Sequence, residues 1–273
     1  MERNWKAEAV KQWDADPCGA DREAAFGTAE FFALVERERY ERYAPWMKSA
    51  LGFERFAGKT VLEVGFGLGT DHMAFARSGA RCYGVDLTPA HVDATRRRLR
   101  LENLPVRIAR GDAEVLPFAD SSFDAVYSFG VLHHTPDTGS AVEEVRRVLR
   151  PGGEAIVGLY HSHSLFFSYL MMNRGILRGG LVTQGYRRTV SQIERREHSD
   201  AVPLVKLYSR RSVRRLFRDF ADVSIESQHF YWDDLGGVGR GIRGMLGRFA
   251  EPVRERLASR FGWYLIVRAR RPT

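Results

Sequence analysis

The stretch VLEVGFGLGTD, Val61 to Asp71, constrains this chain more than any other. An apolar strand runs into glycines at 65, 67 and 69, and a helical pattern begins at once afterwards. Glycine gives up chain stiffness, so three of them at alternate positions imply a tight turn or a backbone approached closely by a ligand. At the end of a first strand, such a turn belongs to nucleotide-type cofactors. A dinucleotide site has the spacing G-x-G-x-x-G and rests a pyrophosphate on the helix N-terminus. Here the spacing is G-x-G-x-G, and Glu63 and Asp71 flank it. Two carboxylates are unhelpful to a dianion and welcome to a cation, which argues against a dinucleotide.

The pattern around the turn is a repeating one. TVLEVG, RCYGVDL, PVRIARGD, FDAVYSFGV and EAIVGLY read as strands. DHMAFARSG, TPAHVDATRRRLRLEN (N-cap Thr88, Pro89 at the first helical position) and GSAVEEVRRVLRPGG read as helices between them. Strands alternating with helices mean βαβ units and a largely parallel sheet, with ligands at the strands' C-terminal edge. Residues 1–57 read as a helical extension with Trp5, Trp13 and Trp46 spread along it, and Trp5 and Trp13 with DPCG suggest a lid. After residue 160 the rhythm breaks into SLFFSYLMMN and a Gly/Arg-rich stretch, before a helix (SRRSVRRLFRDF) and two further strands (DVSIESQHF and GWYLIVRARR).

With these landmarks in place, the chain resembles the class I S-adenosylmethionine-dependent methyltransferases, in particular the ubiquinone/menaquinone-methyltransferase-like group. The glycine turn is similar to the family's first motif. Asp86 in YGVDLT ends the second strand, GDAEVLPFADSSFDAVYS follows the third, and FGVLHHTPD and EVRRVLRPGGEAIV come in the family's order. The likeness covers about residues 58–160. It implies an α/β fold: a Rossmann-like, seven-stranded, mostly parallel sheet with helices on both faces, a helical N-terminal extension and an insertion after strand five. Residues 58–160 would form the cofactor core, and 161–273 the acceptor-pocket insertion and the closing strands.

The resemblance also implies S-adenosylmethionine as cofactor, held by Glu63, Gly65, Phe66, Gly67, Gly69, Asp71, Asp86, Leu87, Asp112, Ala113, Ser128 and His133. Asp86 would take the ribose hydroxyls, Asp112 the adenine amine and the Ala113 backbone a ring nitrogen. Ser128 stands where relatives often carry a substrate-contacting acid or amide, which weakens an amine-methylating reading. A hydroxyl acceptor needs a base, and histidine titrates near neutral pH. His133, His161 and His163 are the candidates; His134 reads as a turn residue. His161-x-His163 lacks a third ligand, so no metal is expected.

The net charge of +8 is uneven: residues 1–160 carry −3 and residues 161–273 carry +11, mostly arginine. That points to phosphate, RNA or an anionic membrane surface as well as to a plain solvated face. No Asn-Pro-Pro-Tyr tetrad or RNA-binding module is present, so DNA is not expected as acceptor and RNA is the second choice. Val238, Ile242, Met245, Leu246 and Phe249 at helical spacing beside arginines suggest a lid, a dimer contact or a membrane-touching helix. No eighteen-residue apolar run and no secretory signal is seen, and Cys18 and Cys82 read as reduced thiols, so a cytoplasmic protein is expected. The expected activity is methyl transfer to a small or amphiphilic molecule, oxygen slightly ahead of carbon or nitrogen. Binding without transfer and non-methylating use of the cofactor remain open beside it.

Overall fold

The computed structural model describes residues 4–17, 23–194 and 199–273. Cys18 lies outside them; Cys82 is a buried free thiol that burial pushes up to about 12. Seven strands form one sheet in the order β3-β2-β1-β4-β5-β7-β6. They are β1 (Thr60–Val64), β2 (Arg81–Asp86), β3 (Ile108–Arg110), β4 (Phe123–Phe129), β5 (Leu149–Tyr160), β6 (Ala221–Gln228) and β7 (Tyr264–Arg270). The first five pair in parallel; β7 lies antiparallel to both β5 and β6. The seven-stranded, mostly parallel sheet is the architecture expected.

Alternate residues of each central strand serve opposite faces, as the two-residue strand period requires. Leu62, Val126, Val157 and Val267 join one apolar cluster, which includes Ala141, Val145 and Val148 from the helix Thr138–Val148. Val61, Ala125, Ile156 and Ile266 join another, under Phe75 and the short N-terminal helices. Both faces of the sheet are therefore covered, and its buried strands read as near-continuous apolar runs.

Three details depart from expectation. The helix ends at Val148, and Leu149–Pro151 are already extended; the register slips between Phe123 and Ala125 of β4 to absorb Pro151-Gly152-Gly153 as a bulge on β5. The third strand is three residues long. The N-terminal helix Ala29–Arg37 runs into a wider π-helical turn, Glu38–Tyr43, which re-aims Arg39, Tyr40 and Tyr43.

The helix Pro89–Leu101 has Thr88 at its N-cap, yet the Thr88 side chain makes no capping bond. Asp14, from the N-terminal helix Trp5–Ala15 and its end, accepts from the Ala90 N–H at 2.8 Å instead. A residue seventy-six positions away thus satisfies a helix-start donor, a task usually done locally, and pins the N-terminal helix over the sheet's C-terminal edge.

Candidate active site

At that edge lies a cavity of about 820 Å³, within the usual range for small-molecule sites. Its floor is the glycine turn. Gly65 has φ +78°, and a Cβ there would overlap the Val131 side chain. Gly67 has φ +53° with open space above it, and its N–H donates to Asp86 Oδ2 at 2.9 Å. The backbone at 67 is bare toward the cavity, as a closely seated ligand needs. Gly69 does not line the cavity; it opens the helix Thr70–Arg77 with its α-carbon close against Thr95, so its absent side chain serves packing.

Asp86, at the end of β2, is held on three sides. Besides Gly67 N–H it accepts from Thr88 N–H at 2.9 Å and from His91 Nδ1 at 3.3 Å. Burial alone would raise its pKa; His91 and the two backbone donors outweigh that and leave it below the usual carboxylate range. The result is a fixed anion at the cavity wall. Leu87, Asp112, Ala113 and Phe66 also line the cavity. Lys6 of the N-terminal helix bridges Asp112 at 2.6 Å and Glu114 at 2.5 Å.

The acids around the turn do different work from each other. Asp71 lies buried and receives Arg39 at 2.7 Å, Tyr127 Oη at 2.8 Å and Tyr40 Oη at 2.8 Å. Asp71 itself lines the cavity, and its carboxylate holds the Arg39 guanidinium at the cavity wall, over the Phe129 ring. Glu63, also buried, shares a 3.1 Å hydrogen bond with His72 Nδ1. Burial first, then the nearby Asp71, push the Glu63 carboxyl well above its ordinary range, while burial lowers His72 to about 4. Arg39 has no local signal in the sequence, since it meets Asp71 across thirty-two residues.

These groups fit S-adenosylmethionine. Asp86 would offer a fixed anion to two ribose hydroxyls, the open space over Gly67 would admit the nucleoside, and Asp112 with Ala113 would border the adenine end. Arg39 would offer a cation to the cofactor's carboxylate, and Glu63 with the Gly65 backbone would border its ammonium.

The far end of the cavity is aromatic: Tyr43, Phe129, Tyr160, Phe166, Trp263 and Tyr264 line it, with His229, Asp234 and Glu194. Tyr43 and Tyr264 share a 2.5 Å hydroxyl–hydroxyl bond, and Tyr160 Oη donates to Glu194. Tyr160 and Tyr264 meet here because the antiparallel β5–β7 pair places them opposite each other.

Of the four histidines singled out from the sequence, His134 alone lines the cavity. Its Nδ1 donates to the Leu204 carbonyl at 2.6 Å, Trp13 packs edge-on at 4.8 Å, and Nε2 faces Glu194 Oε1 at 4.0 Å. Burial lowers its pKa against the pull of Glu194. His133 is wholly buried behind it, with both ring nitrogens unpartnered and its ring 3.7 Å from that of Tyr160. Burial, then His134, keep His133 well below the usual histidine range. His161 Nδ1 is spent on the Gly262 carbonyl at 3.0 Å, and the exposed His163 ring pairs with Ser162. Neither reaches the cavity, so the expected base roles of His133, His161 and His163 have no geometry behind them. Ser128 donates to the Val64 carbonyl at 2.9 Å, ties β1 to β4 and does not line the cavity.

Residues 62–157 match the model of a methyltransferase domain family. Demethylmenaquinone methyltransferase of Tropheryma whipplei (strain Twist) is 37% identical over 102 residues, 37% of this chain and 41% of that protein. The matched stretch spans less than half the length of the curated relatives of this kind. Two solved structures share the fold from end to end. The complex of the Haloferax volcanii Trm112 methyltransferase activator with its putative methyltransferase aligns at TM-score 0.59 and 18% identity, covering 100% of both chains. Geranyl diphosphate C-methyltransferase from Streptomyces coelicolor A3(2) aligns at TM-score 0.57 and 17% identity, covering 98% of each. The matched residues contain the glycine turn and the anchored acid at the end of β2, so residues 62–157 are similar to a methyltransferase domain, set in a fold that the two solved structures share from end to end.

Proposed function

We propose that the chain transfers a methyl group from S-adenosylmethionine to an oxygen of a small or amphiphilic acceptor, with His134 as the base. The observation that carries this is the state of the His134 ring. With Nδ1–H committed to Leu204, the neutral ring keeps its lone pair on Nε2, toward Glu194 in the cavity. Its depressed pKa leaves it unprotonated at neutral pH and ready to take a hydroxyl proton.

Bound at the glycine turn, the cofactor supplies an electrophilic methyl on a positively charged sulfur. The protein's part is to orient, to exclude water and to hold the proton. Asp86 fixes the ribose, Arg39 the carboxylate end, and the aromatic walls set the acceptor in line. Alignment of this kind lowers a barrier by about 7–11 kcal/mol. Glu194, held by Tyr160, lies where it steadies His134 once that ring is protonated. The aromatic lining and the demethylmenaquinone methyltransferase relative both support an acceptor with an apolar body.

The test uses methyl-labelled S-adenosylmethionine, the purified protein and a cell extract separated into lipid, polar small-molecule, RNA and protein fractions, beside an Asp86→Ala control. Label should enter the lipid or small-molecule fraction, depend on Asp86, and resist the mild acid and base that would cleave an ester but not an ether. Label in RNA or protein would overturn the acceptor class. Cofactor binding with no label in any fraction, and none on a panel of phenols and quinols, would overturn transfer itself.

A further inference from the structure

Nine of the fourteen large apolar side chains exposed among the described residues fall in two short segments, 172–186 and 238–249. The second is the helix Gly236–Leu246 with the turn after it. Its Val238, Ile242, Met245 and Phe249 recur at the spacing of one helical stripe, and that stripe points away from the protein, with Met245 90% exposed. The opposite face is the packed one. Gly239 sits so close to the Trp232 carbonyl that any side chain would overlap it, and Leu235 and Leu246 pack on Phe230 and Trp232. The amphipathic helix is thus seated with its apolar stripe outward.

The first segment carries Met172, Ile176, Leu177, Val182 and Tyr186, each at least half exposed. The two segments are neighbours: the Tyr169 hydroxyl lies 2.9 Å from where a Gly236 Cβ would be, and Leu165 shares an apolar cluster with Leu246. Both border the acceptor end of the cavity. Phe166 and Asp234, which line it, stand just ahead of the two exposed segments.

Charge decides what covers this surface. Residues 172–188 and 236–250 hold seven arginines and no aspartate or glutamate. Arg240 and Arg243 have Asp233 as their nearest acid, at 3.9 and 3.8 Å, and remain more than half exposed. A second copy of this chain across a twofold axis would set arginine against arginine. A nucleic-acid backbone would satisfy the arginines and leave the Met245 and Leu177 side chains in water. An anionic lipid surface answers both, taking apolar side chains below the headgroups and guanidinium groups at the phosphates. We infer that this face docks on an anionic membrane leaflet and opens the acceptor end of the cavity toward it, so that an amphiphilic acceptor passes from the leaflet to the site. The docking stands on its own; the passage of an acceptor rests on the methyl-transfer reading above.

The test is flotation of the full chain with vesicles of equal parts phosphatidylglycerol and phosphatidylcholine, against phosphatidylcholine alone, at low and high salt. Binding should require phosphatidylglycerol and weaken with salt. Replacing Arg240 and Arg243 by alanine should weaken it about fivefold for each residue. Met245→Glu with Leu177→Glu should abolish it while thermal melting and cofactor affinity stay unchanged. No binding to the mixed vesicles overturns the inference. So does binding unaltered by the paired glutamates, or sedimentation showing that this face closes a dimer. Flotation needs no turnover, so docking without methyl transfer would sink only the function proposed above. Transfer to a soluble acceptor without docking would sink only this surface.

Discussion

The two ends of the cavity are built by opposite strategies. The cofactor end is local: Glu63 to Asp71 and Asp86 to His91 place its turn and its anion, and backbone N–H groups do much of the holding. The acceptor end is assembled from far-apart pieces: Trp13, Tyr43, His134, Tyr160, Glu194, His229 and Trp263 come together only in the folded chain. Backbone-held groups have little freedom to vary, whereas a wall of side chains on inserted segments can be re-cut without disturbing the sheet. One strategy suits a ligand that is always the same, the other a ligand that differs from protein to protein.

That contrast is open to attack at several points. The largest effect should come from His134→Gln, which ought to lower kcat about a hundredfold to ten-thousandfold while leaving cofactor affinity intact; an equal loss of affinity by calorimetry would mean the two ends are not separate. Its acid limb is a companion check. Burial lowers the His134 pKa, so kcat/KM should be flat at neutral pH and fall only below about 6.5, the ordinary histidine value. Next, Arg39→Met should strand the Asp71 charge among Tyr40 and Tyr127 and cost about 3–5 kcal/mol in denaturant unfolding. A loss under about 1 kcal/mol would show that this pair contributes little to holding the two regions together.

Asp86→Asn should weaken cofactor binding about tenfold to a hundredfold, the worth of charge-assisted hydrogen bonds, with kcat at saturating cofactor little changed. The smallest effect is expected of Lys6→Ala. Its ion pairs are part-exposed and contribute at most about 1 kcal/mol. Freeing Asp112 for the adenine amine should tighten cofactor binding by a few-fold, and weaker binding would make the N-terminal helix part of the cofactor site.

What the sequence discloses follows the same division. The strands, their alternation with helices and the glycine turn are legible because each is written in adjacent residues. Asp86 is legible for that reason too. Gly69 and Ser128 belong to the same motifs but face Thr95 and the Val64 carbonyl, because facing is decided by packing that a motif does not encode. The histidines show this most clearly. Two adjacent rings, 133 and 134, lie one behind the other, and the outer one reads in sequence as a mere turn residue. Arg39 and Glu194 had no sequence signal, since the first acts through Asp71 and the second follows a Gly/Arg-rich insertion with no periodicity of its own.

The helix Trp5–Ala15 touches both ends of the cavity, with Lys6 on Asp112, Trp13 on His134 and the Gln12 amide donating to the Glu194 carbonyl. A rigid rod of eleven residues cannot release one end and keep the other shut. A displacement of this helix as one body would therefore uncover Asp112 and His134 together, so the two ends of the cavity are coupled through one element.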